Sequence, residues 1–337
     1  MAFDVRELTL PIVGAPMAGG PSTPELAAAV TNAGGLGFLA AGYKTAEQFA
    51  AQVAAARKLT SGPIGVNLFV MSANQTRSKD LEAYGRELED EAKRYGAAVG
   101  EPRWDNDAWE DKLRVVMEQL PDVVSFTFGC PDAGTLRALN DGGVVTAVTV
   151  TSAAEARIAE KNGALALVVQ GPEAGGHRGT FDADAEPDST PLLELLAEVA
   201  RITDLPLIAG GGVATRRDAA AVVDAGAAAV QLGTALLLAE EAGTNPVNRT
   251  ALVDPAFTET ATTRAFTGRV ARGLRNRFMD SHPTAPAAYP QVHYMTSPLR
   301  AAAAARGDAQ GVHLWAGTGF REARQASAAE ILAELTP

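Results

Sequence analysis

Eight short apolar runs recur through the first 240 residues, most of them followed by a stretch with helical spacing. They are Pro11–Gly14, Gly37–Leu39, Pro63–Phe69, Asp122–Phe126, Val144–Val148, Ala166–Gln170, Leu205–Ala209 and Ala228–Leu232. Their apolar residues are largely consecutive, which marks strands buried on both faces. The helices between them are clearly punctuated. Pro24 opens one that Gly34-Gly35 ends, Thr45 precedes another that runs to about Leu59, and Pro131 precedes one that runs to Leu139. Ser152 and Thr215 stand at further helix starts. Strands of this kind joined by helices make a parallel sheet of the α/β class. An open doubly wound sheet is one solution, but eight units are what a closed (β/α)8 TIM barrel requires, and the count decides for the barrel.

Two segments break the alternation. Residues 71–110 are polar and charged and carry Trp104 and Trp109, and residues 241–320 are rich in Pro, Arg and aromatics. Both leave the C-terminal ends of strands, so they are expected to build a smaller cap over the barrel mouth. The division read from the sequence is a barrel over 1–240 with an excursion at 71–110, a cap over 241–320, and a C-terminal helix over 321–337.

Composition narrows the partners. The 29 Lys+Arg against 40 Asp+Glu give a net charge of −11, which repels nucleic acid and anionic membranes at long range. The start Met1–Arg6 lacks a secretory pattern, and no run of about 20 residues stays apolar enough to span a membrane. The single cysteine, Cys130, excludes an intrachain disulfide and a thiolate zinc cage. The expectation is a cytoplasmic protein with a small-molecule substrate and no metal, and homo-oligomerisation is left open.

Barrel enzymes work at the C-terminal ends of their strands. The seventh run leads into Gly210-Gly211-Gly212 and the eighth into Gln231-Leu232-Gly233-Thr234. Glycine loops that open helices at these two strands suit a phosphate, through close backbone approach and a positive helix end. The sixth run leads into Gln170-Gly171-Pro172-Glu173-Ala174-Gly175-Gly176-His177-Arg178. There His177 can move a proton near neutral pH and Arg178 can hold an anion. Ala15-Pro16-Met17 and Asn67, at the first and third strand ends, would suit a flat aromatic ligand, although Met17 alone reads as core and Asn67 as a turn former. His282, His293 and His313 read as isolated, without metal-ligand spacing. Arg264, Arg269, Arg272, Arg275 and Arg277 read as a solvated or ion-paired helix face, and Cys130 as a structural thiol.

These residues together resemble the FMN-dependent nitronate monooxygenases. The most telling pieces are Asn32-Ala33-Gly34-Gly35-Leu36-Gly37, Glu173–His177, Ala209–Gly212 and Gln231–Thr234, and the likeness extends to Leu314-Trp315-Ala316-Gly317-Thr318-Gly319. The resemblance implies a capped barrel whose two glycine loops hold the FMN phosphate. It implies that Met17, Asn67, Gln170, Gly175, Gly176, Gly211, Gly212, Gly233 and Thr234 contact FMN, and that His177 is the active-site histidine. The implied reaction is oxidation of an alkyl nitronate by O2 to a carbonyl compound and nitrite. One departure stands out. The fourth run ends Ser125-Phe126-Thr127-Phe128-Gly129, with Thr127 where bacterial members commonly carry His, so a second imidazole contact to substrate or flavin is lost.

Two rivals remain at this level. FMN-dependent enoyl-acyl-carrier-protein and quinone reductases share the Gly-Gly-His region and would consume NAD(P)H. A flavin-free phosphate-binding isomerase or aldolase would want a strand-end Lys or paired acids, which the runs lack. The Leu314–Gly317 segment leans towards the monooxygenase.

Overall fold

The computed structural model describes residues 3–72 and 77–337. Its strands are β1 (Ile12–Gly14), β2 (Gly37–Ala40), β3 (Ile64–Phe69), β4 (Val123–Thr127), β5 (Val145–Val150), β6 (Ala166–Gln170), β7 (Gly176–His177), β8 (Leu207–Gly210), β9 (Ala229–Leu232), β10 (Thr260–Thr263) and β11 (Ala271–Leu274). Eight of them pair in parallel in the order β1-β9-β8-β6-β5-β4-β3-β2. A parallel bridge between Val13 and Leu36 joins the two ends of that order, so the sheet closes into a (β/α)8 barrel. All eight predicted runs are barrel strands.

Two apolar layers hold the barrel. Val13, Phe38, Val123, Ala147, Val168, Ile208 and Ala229 fill its interior, and Val5 from the N-terminal segment packs with them. A larger layer lies between the strands and the surrounding helices, with Leu39, Val66, Phe126, Val148, Leu167 and Val230 facing Leu26, Phe49, Leu136, Leu195 and Val222. Gly65 makes the inner layer possible, since a Cβ there would lie 2.5 Å from the Phe38 ring. The helix starts follow the predicted punctuation: Thr45, Ser152 and Thr215 each cap the helix that follows through a side-chain oxygen, and Pro24 opens its helix behind a Thr23 cap that the sequence reading did not name.

The cap has its own core around Tyr84, Leu88, Phe266, Phe278, Val292 and Leu299. It therefore joins helices Ser78–Glu87 and Glu89–Tyr95 of the first excursion to the 265–305 segment. Three expectations need correction. Trp109 starts the helix Trp109–Gln119, which belongs to the barrel ring and lays its indole against Phe126 of β4. The C-terminal helix is shorter, Ala328–Leu335, and Ile331, Leu332 and Leu335 bury it against the barrel. The arginines from 264 to 277 do not share a helix face. Arg272 lies in β11, Arg269 is buried in a loop, and Arg277 opens a short helix.

Candidate active site

The strand ends and the inner side of the cap enclose a cavity of about 500 Å3. The cap does more than cover it. Its strand β11 pairs antiparallel with β7, setting Ala271 opposite His177 and Arg272 opposite Gly176, and Arg178 N donates to Val270 O at 2.8 Å. The loop after β6 is thereby a sheet edge locked from above. Gln170 holds it from below, donating to His177 O at 3.0 Å and accepting from Gly179 N at 2.7 Å.

Ala15, Pro16, Met17, Asn67, Thr127, Gln170, Gly175, Gly176, His177, Gly210, Gly211, Gly212, Gln231, Gly233 and Thr234 all line this cavity. Arg178 does not, and it needs correction. Its guanidinium turns into the protein and donates to the backbone oxygens of Gln170, Thr151 and Asp188, so it staples the loop and faces no ligand. Asn67 is tied down by its amide nitrogen, which donates to Ser125 Oγ at 2.9 Å and Thr127 Oγ1 at 3.0 Å. The Thr127 hydroxyl also lies 3.3 Å from that of Thr149.

The two glycine loops fit a phosphate, though not quite as the sequence suggests. The helix after β8 is already capped by its own acid, because Asp218 accepts from Ala214 N at 3.2 Å and Thr215 N at 2.9 Å. After β9 there is only the single 3-10 turn Thr234–Leu236. The free donors are the loop amides. The N–H groups of Gly212, Val213, Gly233 and Thr234 donate to nothing among the described residues, and all four residues line the cavity. Gly211 and Gly212 have φ of +146° and +70°, a backbone course that turns successive amides and that L side chains resist. A Cβ added at Gly233 would meet Ala15 at 3.5 Å and Met17 at 4.0 Å, ordinary van der Waals contacts, so a small side chain would fit there.

His177 is boxed by rings. Phe128, Tyr289 and Trp315 each lie 5.6 Å from it, centroid to centroid. Its Nε2 is 2.9 Å from Thr267 Oγ1 of the cap. Burial in this box, together with the charges of Arg269 and Arg300, pushes its pKa down to about 3, so the imidazole is neutral at physiological pH.

Several cavity residues escaped the sequence reading. Phe128 adopts φ +78°, a strained geometry for a bulky residue, and sits under the Arg269 guanidinium at 4.1 Å. Tyr43, also left-handed at φ +67°, stacks on His293 and bonds to the hydroxyl of Tyr289. His293 and His313, read as isolated, both line the cavity beside Arg300. A signal for part of this was present: His293, Ser297 and Arg300 fall four and three residues apart, on one face of the helix Gln291–Ala305. Cys130 is half-buried, and desolvation raises its thiol pKa, as suits an inert structural thiol.

The family model for nitronate monooxygenase matches residues 5–337. The chain belongs to the nitronate monooxygenase family. It is 40% identical over 336 residues to a nitronate monooxygenase of Pseudomonas aeruginosa, covering 96% of this chain and 95% of that one. A solved nitroalkane oxidase from Streptomyces ansochromogenes superposes with a TM-score of 0.93 at 47% identity, over 98% of this chain and 96% of that one. FabK from Thermotoga maritima is more distant, with a TM-score of 0.74 and 26% identity over 98% and 93% of the two chains. The protein is thus an oxidoreductase of the nitronate monooxygenase type. No helix among the described residues is long and apolar enough to cross a membrane, and no acid, His or Cys cluster among them is suited to a metal.

Proposed function

We propose that this protein oxidises an alkyl nitronate with O2 to a carbonyl compound and nitrite, using FMN held at the barrel mouth. The observation that carries the reading is one cavity with unused loop amides after β8 and β9 and a neutral, tethered His177 in its wall. The amides of Gly212, Val213, Gly233 and Thr234 would hold the FMN phosphate, and Ala15, Pro16, Met17, Asn67, Gln170, Gly175, Gly176, Gly210, Gly211 and Gln231 would surround the rest of the cofactor. The bound flavin would accept electrons from the substrate and pass them to O2.

The tether gives His177 two modes. When the Thr267 hydroxyl donates to Nε2, the ring proton sits on Nδ1 and is available to an anionic nitronate. When Nε2–H donates to Thr267, that hydroxyl donates in turn to Arg269 O, 3.3 Å away, and Nδ1 is left as a base for a neutral nitroalkane. Thr127 would border the substrate as a neutral hydroxyl, without the charge an imidazole could bring. The cap strand β11 holds the loop that carries the imidazole, and the rings of Phe128, Tyr289 and Trp315 flank it.

The test begins with colour. The purified protein should be yellow and release FMN on denaturation, and a colourless protein that fails to take up FMN removes the basis of the reading. Propionate 3-nitronate with O2 should yield nitrite without NADH. Rapid NADH oxidation with a quinone and no nitrite would establish a reductase instead.

A further inference from the structure

The cap side of the cavity carries a charge that the fold does not neutralise. Arg300 is 7% exposed and lines the cavity. Its Nε donates to Thr296 Oγ1 at 3.0 Å, and its Nη2 to His293 O at 2.9 Å and Ser297 Oγ at 2.8 Å. Its Nη1 lies 3.2 Å from His313 Nδ1, and its Nη2 3.3 Å from His293 Nδ1. Every one of these partners is neutral, and among the described residues no carboxylate stands within 4.0 Å of the guanidinium. The other buried arginines are built differently. Arg178 and Arg269 end on backbone carbonyls and do not line this cavity, while the half-buried Arg277 pairs with Glu91.

A guanidinium taken out of water without a counter-ion is costly. Its place in a cavity wall means that the counter-ion comes with a ligand. The two imidazoles add to the site. Burial and the Arg300 charge keep both neutral. His293, accepting from Arg300 at Nδ1, carries its proton on Nε2, while both ring nitrogens of His313 lie 3.2 and 3.4 Å from Arg300 Nη1, so that ring orients the guanidinium. Neither ring is loose. His293 stacks on Tyr43 at 4.4 Å, and Trp315 packs against His313 at 5.4 Å.

We propose that Arg300, His293 and His313 form an oxyanion subsite on the cap, separate from the glycine loops, for a small planar anion of the carboxylate or nitrogen-oxyanion type. Three sources share that chemistry: the reacting nitronate group, a carboxylate elsewhere on the substrate, and released nitrite. The subsite rests on the proposed function for the bound flavin but not for the reaction, because equilibrium binding is read without turnover.

The experiment titrates sodium nitrite and sodium acetate into the flavin-loaded protein by calorimetry. Both anions should bind and compete with each other. Arg300→Gln should weaken them at least tenfold, and Arg300→Lys should fall between. Ala304→Glu tests the site with Arg300 kept: Ala304 lines the cavity one turn further along the helix, and its new carboxylate should occupy the guanidinium and abolish binding. Steady-state runs then use two nitronates of equal chain length, one ending in methyl and one in carboxylate. A rise in KM for both with Arg300→Gln assigns the site to the nitronate group, and a rise for the acidic one alone assigns it to a distal carboxylate. Unchanged KM with lost nitrite binding assigns it to product. Absence of nitronate turnover in the wild type sinks the proposed reaction and leaves the titration standing. Wild-type protein that binds neither anion, binding that survives both Arg300→Gln and Ala304→Glu, or binding that appears only after flavin is removed would each overturn the subsite.

Discussion

The Nε2 atom of His177 lies 2.9 Å from the hydroxyl of Thr267, ninety residues away in sequence. One residue belongs to the loop after a barrel strand and the other to the cap. The imidazole's orientation is therefore set by the joining of the two parts. Thr267→Val removes the tether at nearly constant volume and should lower kcat/KM for nitronate about tenfold, the scale of one orienting hydrogen bond. Thr267→Ser should stay within about threefold. Equal activity in all three forms would show that the tether does not matter.

His177→Asn should separate chemistry from cofactor binding. The flavin content of the purified variant should match wild type, because the amides of the two glycine loops are untouched. Nitronate turnover should fall about 10²-fold or more, the usual contribution of a positioned acid–base group. Flavin content and nitrite release are both read directly.

Gly212→Val should do the reverse. The residue sits at φ +70°, and its Cβ would lie 2.8 Å from the Cβ of Glu173. The backbone strain alone costs about 1–2 kcal/mol, and relieving it would turn the Gly212 and Val213 amides. The variant should purify with a reduced FMN-to-protein ratio that excess FMN restores in part.

Gly65→Val tests the barrel interior. A Cβ there would lie 2.5 Å from the Phe38 ring, inside a layer of buried side chains. Overpacking of this kind costs about 1–3 kcal/mol, so the denaturation midpoint should fall. A second change, Phe38→Leu, should restore part of the loss by making room.

Acid should destabilise the fold through its histidines. All four have pKa values below the ordinary 6.5, chiefly because burial penalises the charged ring. The unfolded chain therefore binds more protons than the folded one once pH falls below about 6.5. The imidazoles' contribution is intact above that pH and is lost steadily on acidification, down to about pH 3 for His177 and about pH 2 for His293. The slope is at most about 1.4 kcal/mol per pH unit for each ring. Urea midpoints at pH 7.5, 6.0 and 5.0 should decline in that order, and a flat profile would contradict neutral burial.

The barrel was legible in the sequence for a local reason. A strand buried on both faces needs a continuous apolar run, and a helix start needs a capping side chain, so both leave marks within a few neighbouring residues. The glycine loops and His177 were legible in the same way, since each follows its strand directly. Arg178 was misread because adjacency to His177 does not say where a side chain turns, and the backbone oxygens that claim it come from Thr151 and Asp188 as well as Gln170. The cap side of the cavity stayed hidden for a related reason. Tyr43, Thr267, His293, Arg300 and His313 come from distant parts of the chain and meet only when the cap closes on the barrel. The sequence by itself determined the barrel, the glycine loops at its mouth and the position of one histidine. Only the tertiary structure decided that this histidine is neutral and tethered and that an unpaired guanidinium shares its cavity, because desolvation and through-space contact have no signature in local order.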